Sequence, residues 1–223
     1  MTASKKALKA KTKNKAKPKI KAKTKAKTKT KAQRPMSVMD AIYSRRSVRD
    51  FKPKTVGQDI IQTLLDAAVH APTAMHEEPW SFVIVQDKTL LHRLSESAKS
   101  YMRKEKEGSP ADQAKHVLAL VNRPGFEIFY NASTLILICS KVHEATGVFD
   151  CWLAAQNLML AAHAKGLGTC VIGLSSLALT APEWRAELGI PVGTTVVVPL
   201  ILGEPAKKPP ISLRKPPEIL AWK

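Results

Sequence analysis

Residues 150–168 read DCWLAAQNLMLAAHAKGLG, a run of helical length that is apolar around nearly its whole circumference. It is interrupted mainly by Gln156, Asn157 and His163. A helix that is apolar on every face has to be covered on every face. In a small body that requires either a central helix or one shared with a second subunit. The two amides should then be hydrogen-bonded internally, within the subunit or across it. Gly166 and Gly168 close the run, after which TCVIGL and the later TTVVVPLILGEP read as strands. The G-x-G here follows a helix and precedes a strand. A dinucleotide-binding fingerprint needs the reverse order, so that pyrophosphate meets a helix N-terminus.

Working outward, WSFVIVQD at 80–87 and TLILICS at 134–140 are further strand candidates. SVMDAIYSRRS opens with Ser37 and Asp40 in an S-x-x-D box, predicting a short helix that ends near Arg46. TVGQDIIQTLLDAAVHAP carries a second box, Thr55 and Gln58, then Ile60, Ile61, Leu64, Leu65 and Ala68 at helical spacing, with Pro72 as a stop. Leu90 to Glu107 reads as a charged helix, and Gly108, Pro110, Pro124 and Gly125 break up the stretch beyond it. Strands alternating with helices indicate an α/β or α+β domain.

Charge divides the chain. Of 36 Lys and Arg among 223 residues, fourteen lysines and Arg34 fall within residues 1–35, which contain no acid. The rest, 21 basic against 18 acidic residues, is near balance. Two regions are therefore expected, a disordered Lys-rich tail at 1–35 and one compact domain at 36–223. Lysine fills every odd position from Lys9 to Lys31. The tail reads as a solubilising segment or as an electrostatic anchor for nucleic acid or an anionic surface, and it has no aromatic side chain to stack on bases. No signal-peptide pattern or membrane-length apolar run occurs, so a soluble, cytoplasmic protein is expected. Cys139, Cys151 and Cys170 are odd in number, widely spaced and set among apolar residues, and read as reduced core positions. The glycosylation sequon at Asn131–Ser133 is then irrelevant.

Ser44–Lys52, SRRSVRDFK, gathers Arg45, Arg46 and Arg49 around Ser47. Arginines there could complement a helix C-terminus, an effect of about 0.3–1 kcal/mol each. They could instead bind an oxyanion through charge-assisted bonds of about 1.5–3 kcal/mol each. The residues alone leave both open. No G-K-[ST], G-x-S-x-G or H-E-x-x-H occurs, so phosphate-loop, serine-triad and metal chemistry lack support, and no metal ligand set is expected.

With those blocks in view, the chain from about Met36 to Trp222 closely resembles the nitroreductase family of flavin oxidoreductases. Four stretches fall in the family's order: RRSVRDF at 45–51, APTAMHEEPWSFVIV at 71–85, AAQNLMLAAHAKGLGTCVIGL at 154–174 and LGIPVGTTVVVPLILGEPAKKP at 188–209. The resemblance implies an α+β fold, a central, mainly antiparallel sheet flanked by helices, and a homodimer with FMN at the subunit interface. It implies electron transfer from NADH or NADPH to nitroaromatics, quinones or similar acceptors by a ping-pong mechanism. Other flavin reactions occur on this fold, namely dehydrogenation, dehalogenation and flavin destruction. A protein acting through its basic tail on nucleic acid is the alternative of another class.

By the same resemblance Arg45 and Ser47 hold the FMN phosphate, Arg46 adds backbone or ribityl contacts, and Arg214 is the late phosphate-binding arginine. Arg49 stands beside flavin N1 and the C2 oxygen, where a fixed cation steadies the reduced anion. Pro72, Thr73, Ala74 and His76 match the loop that a partner subunit lays on the flavin, with His76 and Glu78 replacing the family's usual asparagine and glutamine. Gly173 and Leu174 match the backbone that approaches flavin N5 and O4. No side chain is assigned as a general acid or base.

Overall fold

The computed structural model describes residues 35–223. The expected disordered tail, with its domain boundary and its contacts, lies outside them. Four strands, β1 (Trp80–Val85), β2 (Thr134–Ser140), β3 (Gly168–Val171) and β4 (Thr195–Gly203), form one antiparallel sheet in the order β1-β2-β4-β3. All three pairings are antiparallel, and the β2–β4 register shifts between Ile138 and Cys139, leaving Val197 of β4 as the extra, unpaired residue. This agrees with the α+β expectation. It excludes a parallel, doubly wound sheet among the described residues.

Helices cover both faces of the sheet. Around the strands run α1 (Val38–Ser44), α2 (Gln58–Val69), α3 (Lys88–Lys106), α4 (Asp112–Val121), α5 (Ala145–Ala164), α6 (Ser176–Thr180) and α7 (Pro182–Glu187). Every residue of β2 is buried, because side chains alternate between faces. Leu135, Leu137 and Cys139 point into a core with Leu94 of α3, Leu179 of α6 and Trp184 of α7. Ile136 and Ile138 point the other way, onto Leu158 of α5 and Leu64 of α2.

The Ser37 cap forms as read: its Oγ accepts from Asp40 N at 3.1 Å and donates to the Asp40 carboxylate at 2.7 Å. The Thr55–Gln58 box does not form. α2 starts at Gln58 on Gly57 with no side-chain cap. Between the breakers at 108–110 and 124–125 the chain builds α4, which the density of prolines and glycines concealed. Gly166, at φ 76°, ends α5 with its N–H on His163 O at 2.9 Å. Gly168 has a different task from the helix stop expected of it. It opens β3, and a Cβ there would lie 2.7 Å from the Val48 side chain.

α5 accounts for its composition only in part. Ala154, Ala155, Leu158 and Ala162 are fully buried, and Asn157 Nδ2 donates to Ala67 O of α2 at 3.3 Å. Phe149, Trp152 and Leu153 stay 63%, 44% and 43% exposed in the single chain, and Gln156 is exposed beside them. Residues at i, i+3, i+4 and i+7 share a helix face, so one side of α5 is uncovered.

Candidate active site

The arginine turn is built by two buried anchors. Val48 and Phe51 enter the core, and the backbone between α1 and Lys52 is stitched to the sheet. Val48 N donates to Thr169 O at 3.0 Å, Lys52 N to Glu204 O at 2.9 Å, and Ala206 N to Asp50 O at 2.9 Å. Glu204 then takes Lys52 and Lys54, at 2.5 and 2.9 Å, and these bonds hold its carboxyl down at about 2. With the anchors inside, Ser47 and Arg49 remain at the surface. The chain after β4 is tied over the turn by Lys207 on Asp50, 2.8 Å apart, and Arg214 comes close enough to Arg45 to repel it.

The acids at this turn are taken by lysines, and among the described residues Arg45, Arg46 and Arg214 have no acid partner. Arg45's guanidinium is pushed below its ordinary value, first by burial and then by Arg214 and Arg46. Arg45 Nη1 and Arg46 Nε are buried without a hydrogen-bond partner, while Arg46 Nη1 donates to Tyr43 O and Arg45 O, both at 2.7 Å. Orphaned charged donors are costly to bury, and converging arginines are suited to an oxyanion. A cleft of about 900 Å³ opens beside them, with Arg46, Ser47, Arg49, Arg123, Tyr130 and Arg214 on its walls. Its polar donors fit a flavin mononucleotide's phosphate, and its volume exceeds what a phosphate alone needs.

Of the residues forecast for the site, Arg45, Arg46, Ser47, Arg49 and Arg214 converge. Pro72, Thr73, Ala74 and His76 do not line this cleft. They sit on a loop whose 3₁₀ turn, Ala74–His76, is held from beneath by Asp150 of α5, which accepts from Ala74 N at 3.1 Å. Met75, His76 and Glu78 have φ of 53°, 57° and 44°, a left-handed backbone that non-glycine residues seldom adopt. Gly173 and Leu174 begin a 3₁₀ turn directly after β3. A Cβ on Gly173 would meet nothing within 4 Å, and the first N–H groups of such a turn have no acceptor inside it.

Four residues of this region escaped the sequence reading. Tyr130 lies under Arg49, whose Cζ is 5.9 Å from the ring centroid. Its phenol is pushed up, chiefly by burial, with Arg49 opposing. Arg123 stands on the same wall. His163 Nε2 meets Ser44 Oγ at 2.7 Å, joining the ends of α5 and α1, and its pKa is lowered by burial, then by Arg45 and Arg46. Asp150 had a signal: it lies four residues before buried Ala154 and eight before Leu158 on one helix face. Tyr130 and Arg123 had none.

Outside the lining of the cleft, His92, Glu96 and Glu127 bring ligand atoms within 4.8 Å of one another, a grouping that no histidine spacing announces. His92 Nδ1 bonds Glu127 at 2.8 Å and Glu96 pairs with Lys99, so these groups satisfy one another. The three cysteines are free and buried, and burial raises Cys139 to about 11 and Cys151 to about 12. Among the described residues no helix is long and apolar enough to cross a membrane.

Comparison with known proteins gives a consistent set. The family model described as the nitroreductase family matches residues 42–203. A protein of Methanothermobacter thermautotrophicus, provisionally named NADH dehydrogenase/NAD(P)H nitroreductase, is 29% identical over 178 residues, covering 78% of this chain and 80% of its own. Iodotyrosine deiodinase 1 of Mus musculus is 27% identical over 78% of this chain and 64% of its own. Among solved structures, a nitroreductase from Bacteroides fragilis with bound FMN superposes with a TM-score of 0.66 at 28% identity, covering 82% of this chain and 95% of that one.

Proposed function

The chain belongs to the nitroreductase family, and from that premise we propose that it is an FMN-dependent oxidoreductase passing electrons from NADH or NADPH to nitroaromatic, quinone or similar small acceptors. One observation carries the reading: Arg45 Nη1 and Arg46 Nε are buried beside Arg214 without partners among the described residues, an arrangement suited to an anionic ligand. The FMN bound by the Bacteroides fragilis relative and the name of the archaeal one support it.

FMN, when bound, supplies the ring that accepts and passes on the electrons. The chain's residues bind and orient it. Arg45, Ser47 and Arg214 grip the phosphate, and Arg46, with Nη1 already committed to backbone carbonyls, contributes Nε. Arg49 is a fixed cation whose attraction grows as negative charge develops, an electrostatic role without proton transfer. Gly173 and Leu174 present backbone N–H groups. The loop of Pro72, Thr73, Ala74 and His76 serves a second copy's site, so the active form is a homodimer. The uncovered face of α5 and the exposed Val38, Met39, Ile42 and Tyr43 of α1 favour that assembly. A cytoplasmic location accords with three reduced cysteines.

The test is Arg45→Ala with Ser47→Ala. Losing two charge-assisted contacts of about 1.5–3 kcal/mol each should weaken FMN affinity by roughly 10²–10⁴, read by flavin fluorescence, with the fold intact by circular dichroism. A folded double variant that keeps the cofactor at wild-type affinity overturns the site. Holoenzyme that oxidises neither nicotinamide with any nitroarene or quinone overturns the reductase reading.

A further inference from the structure

We propose that the arginine cleft continues into a subsite for an aromatic acceptor bearing a carboxylate, with Arg123 holding the carboxylate. The proposal rests on the reductase reading and adds a substrate class to it. A recess of about 230 Å³ adjoins the cleft, and the two share Arg49, Asp50, Arg123, Phe126 and Tyr130. They form one trench. Arg46, Ser47 and Arg214 line only the first part, so the phosphate grip lies at one end and the recess at the other, with Arg49 and Arg123 common to both.

The recess has an aromatic floor. Phe126 is buried and meets Tyr130 edge to face, centroids 5.5 Å apart at 82°, a geometry that favours a further flat ring. Tyr130 and Asn131 have φ of 51° and 56°. Two successive non-glycine residues in that region are strained. Turn bonds hold them there, Tyr130 N on Glu127 O and Ala132 N on Phe129 O, both at 2.9 Å.

Both acids of the trench are engaged, Asp50 with Lys207 and Glu127 with His92, each at 2.8 Å. Arg49 lies over Tyr130. Arg123 has no acid partner among the described residues, yet its backbone is fixed, its N–H on Leu120 O at 3.2 Å and its carbonyl accepting from Phe126 N at 3.1 Å. Arg123 lines the recess together with Phe126 and Tyr130, and its planar guanidinium is suited to a planar anion. In the reaction, aryl nitro group, nicotinamide hydride and one proton give aryl nitroso, oxidised nicotinamide and water; the carboxylate is a spectator that fixes the ring's direction.

The experiment compares 4-nitrobenzoate with its uncharged amide, using full-length holoenzyme and Arg123→Gln. Loss of one charged contact should raise the KM and the Kd of 4-nitrobenzoate about 10- to 100-fold and change the amide less than about twofold. Arg123→Lys should recover part of the loss. Binding is read separately from turnover by the flavin's absorbance change on titration. If binding depends on Arg123 but neither compound is reduced, the subsite stands and the reductase reading falls. Equal effects on both compounds, or none, overturn the subsite. An effect confined to the KM of NADPH, sparing NADH, also overturns it, because Arg123 would then read the donor's phosphate.

Discussion

β2 and the arginine turn at 45–49 are held to the same sheet, and they obey opposite rules. Along β2 every side chain has a partner, its hydrogen bonds run to β1 and β4, and nothing outside the chain is needed. In the turn Arg45 Nη1 and Arg46 Nε are buried with no partner among the described residues, and like charges are gathered at close quarters. Satisfied burial makes a fold; unsatisfied burial of charge is tolerated where a ligand completes it. The two regions should therefore respond to different perturbations.

The largest effect on stability is expected in the strand. Leu137 is fully buried among Leu94, Leu179 and Trp184, so Leu137→Ala should cost about 2–5 kcal/mol of unfolding free energy. Cofactor affinity in the fraction that stays folded should be unchanged. Urea unfolding followed by circular dichroism, with FMN titration of the folded protein, checks both. A loss of affinity as large as the loss of stability would erase the distinction between the regions.

Gly168 is where the regions touch. Its missing Cβ leaves room for Val48, whose N–H bonds Thr169 and so positions the turn. Gly168→Ala forces Val48 and the turn off β3, at about 1–3 kcal/mol, and should also lower FMN affinity. Adding Val48→Ala opens the space again and should restore affinity. If Gly168→Ala lowers stability while leaving affinity at its wild-type level, the turn is positioned by something other than this contact.

The same division governs how much could be read from sequence. α2 was legible from apolar residues at helical spacing, and α5 and the strands from apolar runs of helical or strand length bounded by polar residues, prolines and glycines. So was the Ser37–Asp40 cap, whose partners are three residues apart. α4 was hidden because Gly108, Pro110, Pro124 and Gly125 bracket it closely. In the site, Arg45, Ser47 and Arg214 were legible from charge density and from the family's motif order. Tyr130 and Arg123 were not, since their placement depends on a left-handed backbone at 130–131 and on a turn set by Phe126. No local pattern encodes either.

The smallest expected effect is the most diagnostic of the unanswered charge. His163 is faced by Ser44, Arg45 and Arg46, and by Lys52, Lys207, Lys208 and the Lys-paired Glu204 around the recess next to it. Its folded pKa lies below the ordinary 6.5. The unfolded chain therefore binds the proton first, and stability of the cofactor-free protein should decline as pH falls through 6.5. A phosphate held between the arginines, as proposed, would cancel part of their repulsion toward the imidazolium, so FMN-loaded protein should lose less over the same interval. Glu204 acts in a separate window. Its folded value of about 2 lies below the ordinary 4.5, so its contribution is complete above 4.5 and lost only as pH drops toward 2. Thermal unfolding of loaded and cofactor-free protein at pH 7.5 and 5.5, beside His163→Gln, separates the two groups. His163→Gln should flatten the cofactor-free decline, and an unaltered slope would place the pH-sensitive charge elsewhere than the arginine turn.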